Sequence, residues 1–161
     1  MHQKIVLPGI IFAVFMILLH ALGFYEFFMS LSLHEGYFIQ QGYSSAAMEY
    51  FRGFPFIFTA LWFLSLLSGM IAPVLFLLRN RFVELIAFVA VASHTLTLLF
   101  TVLFRGRISA LGFTSFIFDV ALLALLGLFY WYVRQMNRKW HKHAMYVYSE
   151  PVRQERHEYN L

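Results

Sequence analysis

Four apolar runs, Ile5–Leu33, Phe54–Leu78, Phe82–Phe104 and Phe113–Val133, limit what this chain can fold into. Each reaches the ~20 residues that an α-helix needs to cross a hydrocarbon core. Composition agrees: 61% of the 161 residues are hydrophobic and only 12% are charged, too few to cover a surface in water. The expectation is an all-α, membrane-embedded antiparallel four-helix bundle with the lipid bilayer as its solvent. A transmembrane domain over residues 1–139 is followed by a polar tail over 140–161, partly disordered and cytoplasmic. The first run is too long for the apolar region of a signal peptide, and no small-x-small cleavage pattern clearly follows it, so it reads as a retained helix.

Charge placement gives the expected orientation. An even number of spans puts both ends on one side. That side then holds Lys4, Arg79, Arg81, Arg134, Arg138, Lys139, Lys142, Arg153 and Arg156, against Arg52, Arg105 and Arg107 opposite. The positive-inside rule selects both termini cytoplasmic. The net charge of +4 is thereby accounted for as topology, and nucleic acid is not an expected partner. With no cysteine, thiol redox chemistry and thiolate metal sites are excluded.

Between the spans, the loop His34–Gly53 is the longest connection, and Ser44–Phe51 within it has the composition of a short interfacial helix. Pro55 suits the first turn of the second span, whereas Pro73 lies inside that span and should bend it. The turn Arg79-Asn80-Arg81 is so short that the second and third spans must be antiparallel neighbours. Aromatics including Tyr37, Phe38, Tyr43, Tyr50 and Phe51 suit an interfacial belt.

The chemistry sits in a few polar side chains inside the apolar runs. Asp119 lies about two turns into the fourth run, where a carboxylate is costly enough to require protein or water contacts and a partner. At about 1.5 Å per residue, Glu26 and Asp119 are both some 8–10 Å from the outer end, and His20 and His94 lie deeper, near the midplane. Small and polar residues share helix faces: Ala87, Ala90, His94, Thr97, Thr101 and Arg105 in the third span, Gly112, Ser115 and Asp119 in the fourth, and Ser65, Ser68, Gly69, Ala72 and Pro73 in the second. Such stripes are also how membrane helices pack. The acids have Arg52, Arg105 and Arg107 as candidate ion-pair partners near the outer interface, with His94 as a deeper one for Asp119.

The residues Glu26, His94, Asp119 and His20 thus form a candidate layer for a small solute or a proton. Two midplane histidines also meet the minimum for bis-imidazole haem b ligation. Only one such pair exists, so no cofactor is expected. No metal site or catalytic residue is assigned either: there is no HExxH, phosphate loop or nucleophile with an evident base, and an enzyme is not the expectation.

The segment Tyr50-Phe51-Arg52-Gly53-Phe54-Pro55, followed by Trp62, Gly69 and Leu77-Leu78-Arg79-Asn80-Arg81-Phe82, resembles a family of small uncharacterised bacterial four-span proteins, some of them labelled "sugar transporter". The layout also resembles the DoxX-like four-helix proteins. The resemblance covers residues 1 to about 140 and implies a four-helix bundle in a bacterial inner membrane. It carries over no binding or catalytic residues. Two functions are therefore expected in competition: transporter-like handling of a small solute or proton, as a homo-oligomer or with partners, and an accessory or assembly role in a larger membrane complex.

Overall fold

The computed structural model describes the backbone of residues 6–158 and the side chains of residues 6–138. Among the described residues six helices follow one another: α1 Leu7–Leu31, α2 Glu35–Gln40, α3 Ser45–Arg52, α4 Phe56–Leu77, α5 Val83–Arg105 and α6 Arg107–Glu158. Four of them, α1, α4, α5 and the Arg107–Arg138 part of α6, are long and apolar enough to cross a membrane. The chain is an all-helical membrane protein, as the apolar runs require. Lys4 lies outside the described residues, as do the side chains of the tail from residue 139 onward.

Each helix end has a local cause. In α1, Pro8 sits in the first turn, where its missing N–H costs nothing. Pro55 stands one residue earlier than expected, as the N-cap of α4. The α4–α5 turn closes with Arg79 in the left-handed region at φ 55°, the Asn80 N–H donating to the Leu75 carbonyl at 2.9 Å, and the Asn80 side-chain oxygen accepting from the Phe82 N–H at 2.9 Å. Gly106 ends α5 at φ 58°, where its N–H donates back to Thr101. One residue later α6 begins. Its helix is not continuous: Gly112, at φ 86° and ψ 162°, breaks it. Only glycine occupies that region without strain. The fourth span therefore consists of a detached turn, Arg107 to Leu111, followed by the long helix.

The spanning helices pack in chain order, α1 on α4, α4 on α5 and α5 on α6. Near the α4–α5 turn, α1 and α6 also meet. The Phe12 ring packs on Phe129 (5.4 Å between centroids) and near Tyr132 (6.5 Å), and the Tyr132 hydroxyl rests against Gly9. The core at this end joins Ala13, Met16, Ala72, Phe76, Val83, Ala87, Ala90, Leu126, Phe129 and Val133. Small residues on α4 and α5 face one another in it, letting the backbones approach. Polar groups close the same end, with the Asn137 amide donating to Glu84 at 2.9 Å and Arg134 lying 3.6 Å from the same carboxylate.

At the opposite end the long loop folds into a cap. The expected helix is present as α3, and a second one, α2, precedes it, its N-terminus capped by His34, whose Nδ1 accepts the Tyr37 N–H at 3.1 Å. Tyr37, Phe38, Tyr50 and Phe51, expected in an interfacial belt, are instead buried together with Ala47 and with Leu111 of the detached turn. The reason is geometric: α3 and the detached turn of α6 cover each other, and these rings fill the space between them. Phe51 stacks on Trp62 at 6.0 Å, tying the cap to α4.

Candidate functional site

Glu26, Arg107 and Asp119 lie beneath this cap. Break and turn together decide where Arg107 goes. Because Gly112 bends the chain, Arg107 reaches into the bundle, donating from Nε to Asp119 Oδ2 at 2.7 Å and from Nη2 to Asp119 Oδ1 at 2.9 Å. Both side chains are mostly covered, at 12% and 17% exposure. This is the forked geometry that suits a guanidinium to a carboxylate.

The other candidate partners are engaged elsewhere. Arg105 donates to the Tyr50 carbonyl at 2.7 Å and lies over the Tyr50 ring, its carbon 5.3 Å from the centroid. Arg52 pairs with Glu49 on the exposed side of α3 at 2.9 Å. His94 does approach Asp119, but through the backbone: its Nε2–H donates to the Asp119 carbonyl at 3.2 Å. The carboxylate belongs to Arg107. Gly112 also leaves the stripe assigned to it, since it is exposed and non-helical, while Ser115 remains on the helix and donates to the Leu111 carbonyl at 2.9 Å.

Glu26 on α1 stands apart. It is partly buried and makes no hydrogen bond or ion pair among the described residues, yet it lies close enough to Arg107 and Asp119 for their charges to act on it. Tyr37 of the cap lies near it too. Burial pushes the Tyr37 phenol up from its ordinary value, with the Glu26 and Tyr43 charges adding to the effect and a bond to Ser30 opposing it. One cation and two carboxylates thus share the space below the cap, with one carboxylate already committed.

Deeper in the bundle are the histidines, both buried. His20 Nδ1 lies 2.7 Å from the Met16 carbonyl, and its ring occupies the place a side chain would take at Gly69. His94 Nδ1 lies 3.3 Å from the Ser65 hydroxyl. A carbonyl only accepts, so these contacts place a hydrogen on His20 Nδ1 and on His94 Nε2. Of the four ring nitrogens, His20 Nε2 alone has no hydrogen-bond partner. The stripe hydroxyls of α5, and Ser93 beside them, do not join this network. Ser93, Thr97 and Thr101 each donate to the carbonyl four residues earlier, at 2.7, 2.8 and 2.7 Å.

Ser65, Tyr37 and Tyr50 were not among the candidate residues. For Ser65 a signal was present: it lies 15 residues before Asn80 and His94 lies 14 after it, so a tight turn at Asn80 puts both at one depth. For the two tyrosines nothing in the local sequence separates a buried cap residue from an interfacial one. Among the described residues no group of three metal-binding side chains comes together. No family model matches the chain, and no curated protein or solved structure does either, which leaves the geometry of the Glu26–Arg107–Asp119 layer to carry the functional reading.

Proposed function

We propose that this chain is a multi-pass protein of the bacterial inner membrane, both termini cytoplasmic, that takes a small cationic solute or a proton into the layer beneath its outer cap. The observation that carries the reading is Glu26, a carboxylate inside a spanning helix with no ion pair or hydrogen bond among the described residues, set beside the closed Arg107–Asp119 pair. An acid in that position is expensive unless it serves a proton, a cation or water. Arg107 neutralises Asp119, so Glu26 is the carboxyl group of the layer left to take up a positive charge. A species of one positive charge balances it. The basic residues at the α4–α5 turn and the resemblance to bacterial four-span proteins support the membrane and orientation.

Purified protein in lipid vesicles, titrated with sodium, potassium, ammonium and protons, tests the reading. Wild type should respond to at least one of these, and Glu26→Gln should lose that response at unchanged abundance. A response preserved in Glu26→Gln overturns it.

A second reading, an accessory or assembly subunit of a larger complex, draws on the Arg107–Asp119 pair itself. Both members lie on α6, and the pair fixes the detached turn to the long helix, which is structural work. Asp119→Asn and His94→Ala should then reduce abundance or co-purifying partners without altering any solute response.

A further inference from the structure

We propose that His20, Ser65 and His94 form a binding site for a single proton inside the helix bundle, one level deeper than the Glu26 layer. The inference rests on the membrane-spanning reading above but not on Glu26 binding anything.

The argument is a count of hydrogens. The Met16 carbonyl fixes one on His20 Nδ1, and the Asp119 carbonyl fixes one on His94 Nε2. Each neutral ring is thereby left with a lone pair on its other nitrogen, His20 Nε2 and His94 Nδ1. Ser65 lies between the two helices that carry these rings, its Oγ 3.3 Å from His94 Nδ1. His20 Nε2 rests against Gly69, one helical turn from Ser65 on the same face of α4, and it is buried without a partner. For the three polar atoms His20 Nε2, Ser65 Oγ and His94 Nδ1 only one hydrogen is present, that of the Ser65 hydroxyl. An unbroken chain of hydrogen bonds needs two.

One added proton supplies the difference. It bonds to His20 Nε2, which then donates toward Ser65 Oγ as the ring turns to it, while the Ser65 hydrogen goes to His94 Nδ1. His20 carries the new charge with its Nδ1–H still on the Met16 carbonyl. The proton comes from hydronium and returns to water by the reverse step, and no other bond changes. Gly69 makes the arrangement possible, because any side chain there would displace the ring.

The surroundings select a proton over larger cations. On α4 the facing residues are Ser65, Leu66 and Gly69, none of them titratable. On α5 the facing titratable group is His94, neutral in this arrangement. Beyond it on α6, Asp119 is closed by Arg107. Along α1 the nearest acid is Glu26, six residues on, in the upper layer. Two imidazoles and one hydroxyl offer no anionic oxygen to a hard cation such as sodium or calcium, but they offer two lone pairs to a proton.

The test is the 15N spectrum of the full chain in lipid bilayers with labelled histidine, the two interior rings assigned from His20→Asn and His94→Asn. At alkaline pH the rings should be neutral and of opposite tautomer. On acidification His20 Nε2 should acquire a proton while His94 keeps one unprotonated nitrogen. In Ser65→Ala the proton affinity of His20 should fall about tenfold, one pH unit in its midpoint, for the loss of a hydrogen bond to a charged group. Ser65→Thr should restore it. Like tautomers in the two rings, a His20 Nε2 that stays unprotonated while the fold persists to about pH 5, or a midpoint unmoved in Ser65→Ala, would each overturn the proposal. The readouts are the nitrogens of the two histidine rings alone, so failure of the Glu26 reading leaves them unchanged.

Discussion

Asp119 shows how one side chain is made tolerable in an apolar span. Its carboxylate takes two donors from Arg107, and its carbonyl takes a third from His94. Removing one member of a covered pair leaves the other uncompensated, which costs about 3 kcal/mol or more, whereas replacing both by apolar residues costs far less. Asp119→Asn should therefore lower the thermal denaturation midpoint in detergent markedly, and Arg107→Leu combined with Asp119→Leu should recover most of the loss. The need for a partner was legible from Asp119 itself, and Arg107 was among three candidates. What the sequence could not resolve was the choice, because it depends on a backbone break at Gly112. A second residue, Tyr37, makes a prediction about pH. Its phenol is held neutral in the folded cap, so the phenolate is disfavoured there relative to the unfolded chain. Stability is then unaffected below the unfolded phenol value of about 10 and falls as pH rises above it. Alkaline titration followed by phenolate absorbance should show this loss, and Tyr37→Phe should reduce it.

At the level of elements, the spans were legible because length and apolarity alone define them: expected runs 54–78 and 82–104 became α4 Phe56–Leu77 and α5 Val83–Arg105. The fourth was legible only from Phe113 onward. A lone glycine in a helical pattern is as consistent with close packing as with a break, and Gly112 proved to be the latter. Helix α2 was missed because its cap is a histidine rather than Ser, Thr, Asp or Asn. The break yields a prediction of its own. A Cβ at Gly112 would meet nothing within 4 Å, so Gly112→Ala has no steric clash and acts only through its backbone at φ 86°. The cost should be about 1–3 kcal/mol, and it should fall on the detached turn. Cross-linking or fluorescence between the exposed residue Ile108 and the long helix should report a separation that Gly112→Ala enlarges while α4 and α5 stay paired.

The whole molecule is asymmetric along its length. One end is a packed apolar core in which Phe76 is fully buried, 6.0 Å from the Phe129 ring and 5.6 Å from Tyr132; the other is an aromatic cap over charged groups. Phe76→Ala should open a cavity where α1, α4 and α6 meet and cost about 3 kcal/mol, read as a lower denaturation midpoint with the fluorescence of Trp62, against which the cap's Phe51 stacks, little changed at first. This division into core and cap was not readable from hydropathy, since lipid-facing and protein-facing apolar residues look alike there; Phe118 and Phe129 differ only in which neighbours they meet. The pairing of Arg107 with Asp119 also bears on how such a chain enters a bilayer. Each charge alone adds about 2.5–3.5 kcal/mol to the transfer of a helix into the membrane. Here acid and counter-ion lie on the same segment, twelve residues apart, so the last span can neutralise itself on arrival without waiting for the first three to assemble around it.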